Sequence, residues 1–199
     1  MGEKDHYHHG ALREALVAEA LKVLESDGLQ GISLRGLAEA AGVSKTAPYR
    51  HFADKTDLLV TLAAEGFRRF ADVLEEAVAA VPTVVPADSL AGIRALSRAY
   101  IDFAQVQPAL YRLMFSKLGY SLHSEACRLN SARAFGILTR SVQDAQRAGW
   151  RSHQDTRALI LSVWAGVHGW AGLLLDGLVP EGFIGPEEDP LALFQGLLD

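Results

Sequence analysis

The sequence holds one cysteine, Cys127. A lone thiol excludes an intramolecular disulfide and a cysteine-built zinc site, and it suits a small buried apolar side chain; a redox sensor would lack a second thiol to resolve it. With 7 prolines and 18 glycines in 199 residues, the composition excludes a fibrous or disordered chain. Alternating apolar and polar runs are missing, as are internal repeats and low-complexity tracts, so no strand is expected. The N-terminus lacks the apolar core of a signal peptide, which implies a cytoplasmic protein. No Gly-rich phosphate loop or nucleophile elbow is present. No catalytic residue, metal site or cofactor is therefore expected. Positive charge is also short: the formal net charge is −5, which does not by itself favour nucleic acid.

Apolar residues are plentiful, at 49% of the chain, enough for a sizeable core in one or two domains. Their spacing is helical. After a polar arm at residues 1–9, whose His6, His8 and His9 have no fixed surroundings to hold a metal, Leu12, Leu16, Ala20, Val23 and Leu24 predict a helix from Ala11 to Ser26. Gly28 stops it, and Leu29 and Ile32 are expected to seal the join to the next segment.

Residues 33–55, SLRGLAEAAGVSKTAPYRHFADK, organise the chain. Ser33 is a good N-cap, Leu34, Leu37, Ala38 and Ala41 form an apolar face, and Gly42 can end the helix in the left-handed conformation. Ser44 is expected to cap a second helix carrying Lys45, Thr46, Tyr49, Arg50 and His51. Two short helices joined by a Gly-containing turn make a helix-turn-helix, whose second helix enters the DNA major groove. The local charge supports this, with Arg35, Lys45, Arg50 and Lys55 against Glu39 and Asp54. A basic edge suffices for phosphate contact because screening limits distant charges to a reach of about 8–10 Å.

GVSKTAPYRHFADKTDLL resembles the helix-turn-helix signature of the TetR family of transcriptional regulators, through Gly42, Val43, Ser44, Tyr49, His51, Phe52 and Lys55. Pro48 departs from the pattern, standing where leucine is more usual. A proline there removes a donor and disfavours α conformation at Ala47. The candidate DNA-binding residues are Ser33, Arg35, Ser44, Lys45, Thr46, Tyr49, Arg50, His51 and Lys55. Ser44, Thr46 and Lys45 can reach bases or phosphate, and Lys55 opens a helix whose free N–H groups attract phosphate. The resemblance implies a backbone contact for the Tyr49 hydroxyl. Phe52 is expected in the core.

Beyond Asp54, apolar spacing predicts a long helix to about Ala80, then helices over 89–106, from Pro108, over 124–148, over 155–175 and over 190–198. The expected division is a DNA-binding domain at 1–55 and a helical ligand-binding and dimerisation domain at 56–199. Residues 158–175, ALILSVWAGVHGWAGLLL, carry no charge and reach the lower edge of a membrane span. Glycines and a central His168 argue instead for a helix buried between subunits. Ile160, Val163, Trp164, Val167, Trp170, Ala171 and Leu174 would face their own domain. Gly166, Gly169 and Gly172 would let a partner helix approach closely.

Trp164, His168 and Gly169 resemble the Trp-x-x-x-His-Gly pattern that names the WHG branch of the TetR family, as do Tyr7–Gly10 and Pro108–Phe115. The resemblance implies an effector pocket drawn from Tyr100, Phe103, Tyr111, Met114, Phe115, Trp164 and His168; residue by residue, an ordinary core is the competing account. The expected function is a ligand-responsive repressor that binds a palindromic operator as a homodimer and is released by a small molecule. Two others stay open: a small-molecule-binding helical protein without operator recognition, and an all-α enzyme.

Overall fold

The Ser33 hydroxyl accepts the Gly36 backbone N–H at 3.0 Å, and the chain turns there from the first helix into the second. The computed structural model describes residues 3–82, 88–116, 124–185 and 188–196, and among them every regular element is helical. The order is α1 (Glu3–Gly31), α2 (Leu34–Ala40), a 3₁₀ turn (Ala47–Arg50), α3 (Lys55–Ala79), α4 (Ala91–Val106), α5 (Pro108–Met114), α6 (Glu125–Arg147), α7 (Thr156–Leu175) and α8 (Pro190–Gln195). The chain is all-α, as its periodicity predicts.

Two compact units share these elements, the first made of Met1–Phe67 with Gln107–Leu129, the second of Arg68–Val106 with Asn130–Asp199. Leu16, Leu24, Ile32, Leu37, Phe52, Leu58 and Leu62 are each at most 2% exposed and form the heart of the first. Burying side chains of this size contributes about 1.5–3 kcal/mol apiece. The Arg13 guanidinium lies 5.4 Å over the Phe52 ring. Buried Cys127 donates its thiol to the Val60 carbonyl at 3.4 Å, and burial raises its pKa, so the inert role fits.

The N-terminal arm differs from expectation: the backbone is helical from Glu3, since nothing in its sequence interrupts the helix before Gly28. The side chains of residues 1–10, including the three histidines, lie outside the described residues. Gly28 breaks α1 with φ 66°, as expected of a stop. Ile32 is buried, but Leu29 is exposed; what joins the end of α1 to its neighbours is the Leu29 carbonyl, which accepts from Lys55 Nζ at 2.6 Å.

In the second unit α4 packs against α7 and α8. The Phe70 ring lies between those of Tyr100 and Phe103, with centroids 4.8 and 5.1 Å away. Arg133 of α6 pairs with Asp72 and Glu75 of α3, and Arg98 of α4 with Asp189 before α8. Asp155 caps α7 by accepting the Arg157 N–H at 2.8 Å. Held by Arg157, its carboxyl titrates at about 2.

Candidate nucleic-acid interface

α2 ends as its sequence requires. Gly42 takes φ 66°, Val43 N–H reaches the Ala38 carbonyl at 2.9 Å, and Gly42 N–H reaches Glu39 at 3.1 Å. This is a Schellman closure, and it aims the next segment away from the α2 axis.

That segment is not the helix expected from Ser44. An α-turn there needs an N–H on residue 48 to reach the Ser44 carbonyl, and Pro48 has none. Ala47 N–H takes that carbonyl instead, at 2.9 Å, and the chain closes into a 3₁₀ turn over Ala47–Arg50. Ser44 therefore caps nothing in its predicted manner; its hydroxyl bonds that of Thr46 at 3.2 Å. Lys45 and Thr46 precede the 3₁₀ turn rather than riding on a helix.

All nine candidate DNA-binding residues lie in the first unit. Ser33, Arg35, Ser44, Lys45, Thr46, Tyr49 and Arg50 are exposed, Tyr49 to 51%, while His51 and Lys55 are half-buried. Ser33 is occupied as a cap, and Lys55 spends one of three donors on Leu29. Phe52 is buried, as expected, and so is Pro48. Asp54 starts α3 by accepting the Asp57 N–H at 2.9 Å, and Asp57 accepts from Ala53 N–H at 2.9 Å. The result is an exposed polar and cationic edge on an apolar three-element base.

The seven pocket candidates are divided between the two units. Tyr111, Met114 and Phe115 belong to the first unit, where Phe115 meets Phe67 edge-on at 5.5 Å. Tyr100, Phe103 and His168 belong to the second, and the Tyr100 hydroxyl and His168 Nδ1 are 2.8 Å apart. Burial lowers the His168 pKa. Trp164 meets Phe135 edge-on at 5.5 Å and lines a groove of about 430 Å³ between α6 and α7, with Thr139, Gln143, Thr156, Arg157, Ile160 and Leu161. Among the described residues no cluster of His, Cys, Asp or Glu could hold a metal.

Gly166 also departs from expectation. A side chain there would meet Phe194 of α8 at 3.0 Å, so this glycine serves packing within its own unit. Gly169 and Gly172 face open space. Two residues that sequence reasoning missed grip α5. Glu25 of α1 accepts N–H bonds from Ala109 and Leu110 at 3.4 and 3.0 Å, and Gly66 of α3 admits Met114 and Leu110. An isolated glycine inside an apolar helical run was the available signal for Gly66; Glu25 gave none.

Known proteins match both halves. Residues 16–62 fit the family described as bacterial regulatory proteins, tetR family, and residues 93–199 fit a tetracyclin repressor-like C-terminal domain. The chain belongs to the TetR family. It is 36% identical over 64 residues to the HTH-type transcriptional repressor AcnR of Corynebacterium glutamicum, covering 32% of this chain and 34% of AcnR. Over 51 residues it is 45% identical to the class C tetracycline repressor protein of Escherichia coli, covering 26% of this chain and 23% of that repressor. The chain thus spans about a third or less of these curated relatives. A solved structure from Rhodococcus sp. RHA1, of a protein with unknown function, superposes with a TM-score of 0.80 at 33% identity, covering 97% of this chain and 94% of that one.

Proposed function

We propose that this TetR-family regulator is a cytoplasmic, homodimeric repressor that binds a palindromic operator and is released by a small-molecule effector. The observation that carries the proposal is the exposed set Ser44, Lys45, Thr46, Tyr49 and Arg50 on the segment after the Gly42 turn. These side chains supply hydroxyl donors and cations, the groups that hold phosphate and read base edges. Similarity to proteins named as repressors supports the direction of control. The dimer would form on the α6–α7 face, through Gly169, Gly172 and the groove beside Trp164, with Gly166 set back against Phe194. The effector would meet the second unit at Tyr100, Phe103 and His168, a largely buried aromatic cluster with one polar pair. No catalytic role is proposed for any residue.

The test is a shift of labelled promoter fragments over a range of salt. Tyr49→Phe and Lys55→Ala should weaken binding to all fragments alike, since both would act on the phosphate backbone. Lys55→Ala should also flatten the dependence of log affinity on log salt by about one. Because its ammonium also ties down Leu29, that variant should be less stable, whereas Tyr49→Phe should not. Unchanged affinity in both variants would remove these residues from the interface, and no shift with any fragment would end the operator proposal.

A further inference from the structure

We infer that Pro48 is a specificity-determining residue: by forcing a 3₁₀ turn it makes Thr46 the base-reading neighbour of Tyr49 and leaves Lys45 to the phosphates. The inference rests on the operator-binding proposal above. Pro48 is buried, so it is built into the base of the segment rather than displayed on it. Its carbonyl accepts both His51 N–H at 2.9 Å and Phe52 N–H at 3.0 Å, closing the turn from the far side. Its missing N–H sends the Ser44 carbonyl to Ala47. Both ends of the segment are thus fixed by one residue.

The row of side chains changes as a consequence. In an α-helix residues four apart share a face, which would set Lys45 beside Tyr49 and Thr46 beside Arg50. In a 3₁₀ turn residues three apart eclipse. Within the turn that stacks Ala47 with Arg50, and Thr46, the residue that caps the turn, stands three positions before Tyr49. The rise grows from about 1.5 to about 2.0 Å per residue, so Ala47 to Arg50 stretches by about 1.5 Å, a little under half a base-pair step of about 3.4 Å. The Ser44 hydroxyl at 3.2 Å further fixes the Thr46 hydroxyl. Thr46 then offers a methyl to thymine or a hydroxyl to a base edge. Lys45 keeps a long flexible cation suited to phosphate.

The experiment uses the full chain and a duplex library with a randomised core, comparing the sequences enriched by wild type, Pro48→Leu, Lys45→Ala and Thr46→Ala. Pro48→Leu should enrich a different motif and bind the wild-type motif about ten-fold more weakly, the effect of roughly one mismatched base pair, with its salt dependence unchanged. Thr46→Ala should relax the motif at one position in each half-site. Lys45→Ala should keep the motif while losing affinity uniformly and flattening the salt dependence. An unaltered motif in folded Pro48→Leu, or a motif changed by Lys45→Ala and not by Thr46→Ala, would overturn the inference. Circular dichroism checks folding of Pro48→Leu, and the two exposed-site variants decide alone if it is unfolded. Absence of duplex binding by the wild type would instead refute the operator proposal itself.

Discussion

Tyr100 and His168 form the one polar pair described within the aromatic cluster of the second unit, and the pair makes stability depend on pH. Burial holds the imidazole below its ordinary value of 6.5, while in the unfolded chain it titrates normally. Below about 6.5 the unfolded state therefore takes up a proton before the native state does. The stabilisation from neutral His168 is fully present above that pH and is lost as pH falls toward the depressed native value. The chain holds 7 histidines, so the informative quantity is the gap in melting temperature between wild type and His168→Asn. That gap should narrow between pH 7.5 and pH 5.5; a constant gap would show that His168 is equally easy to protonate in both states. The sequence shows the histidine inside an apolar run but not its partner, because Tyr100 lies 68 positions away. The same distance problem hides the Lys55 bond to the Leu29 carbonyl.

Helix existence is legible because it is written in local spacing, and the observed bounds of α6 and α7 fall within a residue or two of expectation. The reading segment is where local cues conflict: a serine suited to capping precedes a proline that removes the hydrogen bond a helix would need. The proline prevails, since no side-chain cap replaces a missing backbone donor. Packing between helices is less legible still, as α5 illustrates. A Cβ on Gly66 would lie 2.7 Å from Met114 Cγ and Sδ and 3.0 Å from Leu110 Cδ1. Gly66→Ala gains about 1 kcal/mol in helix propensity but adds overpacking that typically costs about 1–3 kcal/mol. Met114 is 0% exposed and Leu110 1%, which leaves neither an easy retreat, so overpacking should win by about 1 kcal/mol. A lower urea midpoint at unchanged slope is the expected result. A higher midpoint would mean that Met114 swings into another rotamer at little cost.

At the scale of the whole molecule, the question is what covers α7. By length and composition this helix could cross a membrane, with a mean hydropathy of 1.7. One copy of the chain buries only Leu159, Ile160, Val163, Val167 and Ala171 on it. Leu161 is 59% exposed and Phe135, across the groove on α6, 44%. An apolar face this continuous suits the partner surface of the proposed dimer. A two-fold dimer supplies one by applying the same patch to itself, and it presents two reading segments to the two halves of a palindrome. Gly169 gives the clean test because a Cβ there meets nothing within 4 Å beyond its own helix backbone and chain neighbours. Gly166 does not, since its substitution would first disturb Phe194. Gly169→Leu should leave the subunit folded, force the paired helices apart at about 1–3 kcal/mol per site, and impose that cost twice across the axis. A penalty of about 2–6 kcal/mol weakens the dimer by roughly 30-fold to 10⁴-fold or more. Operator affinity should fall with it, since a lone subunit reads one half-site. In sedimentation at micromolar concentration the wild type should run as a dimer and Gly169→Leu largely as a monomer with native circular dichroism. A monomeric wild type would refute the assembly, and an undiminished dimer in the variant would move the interface off this face of α7.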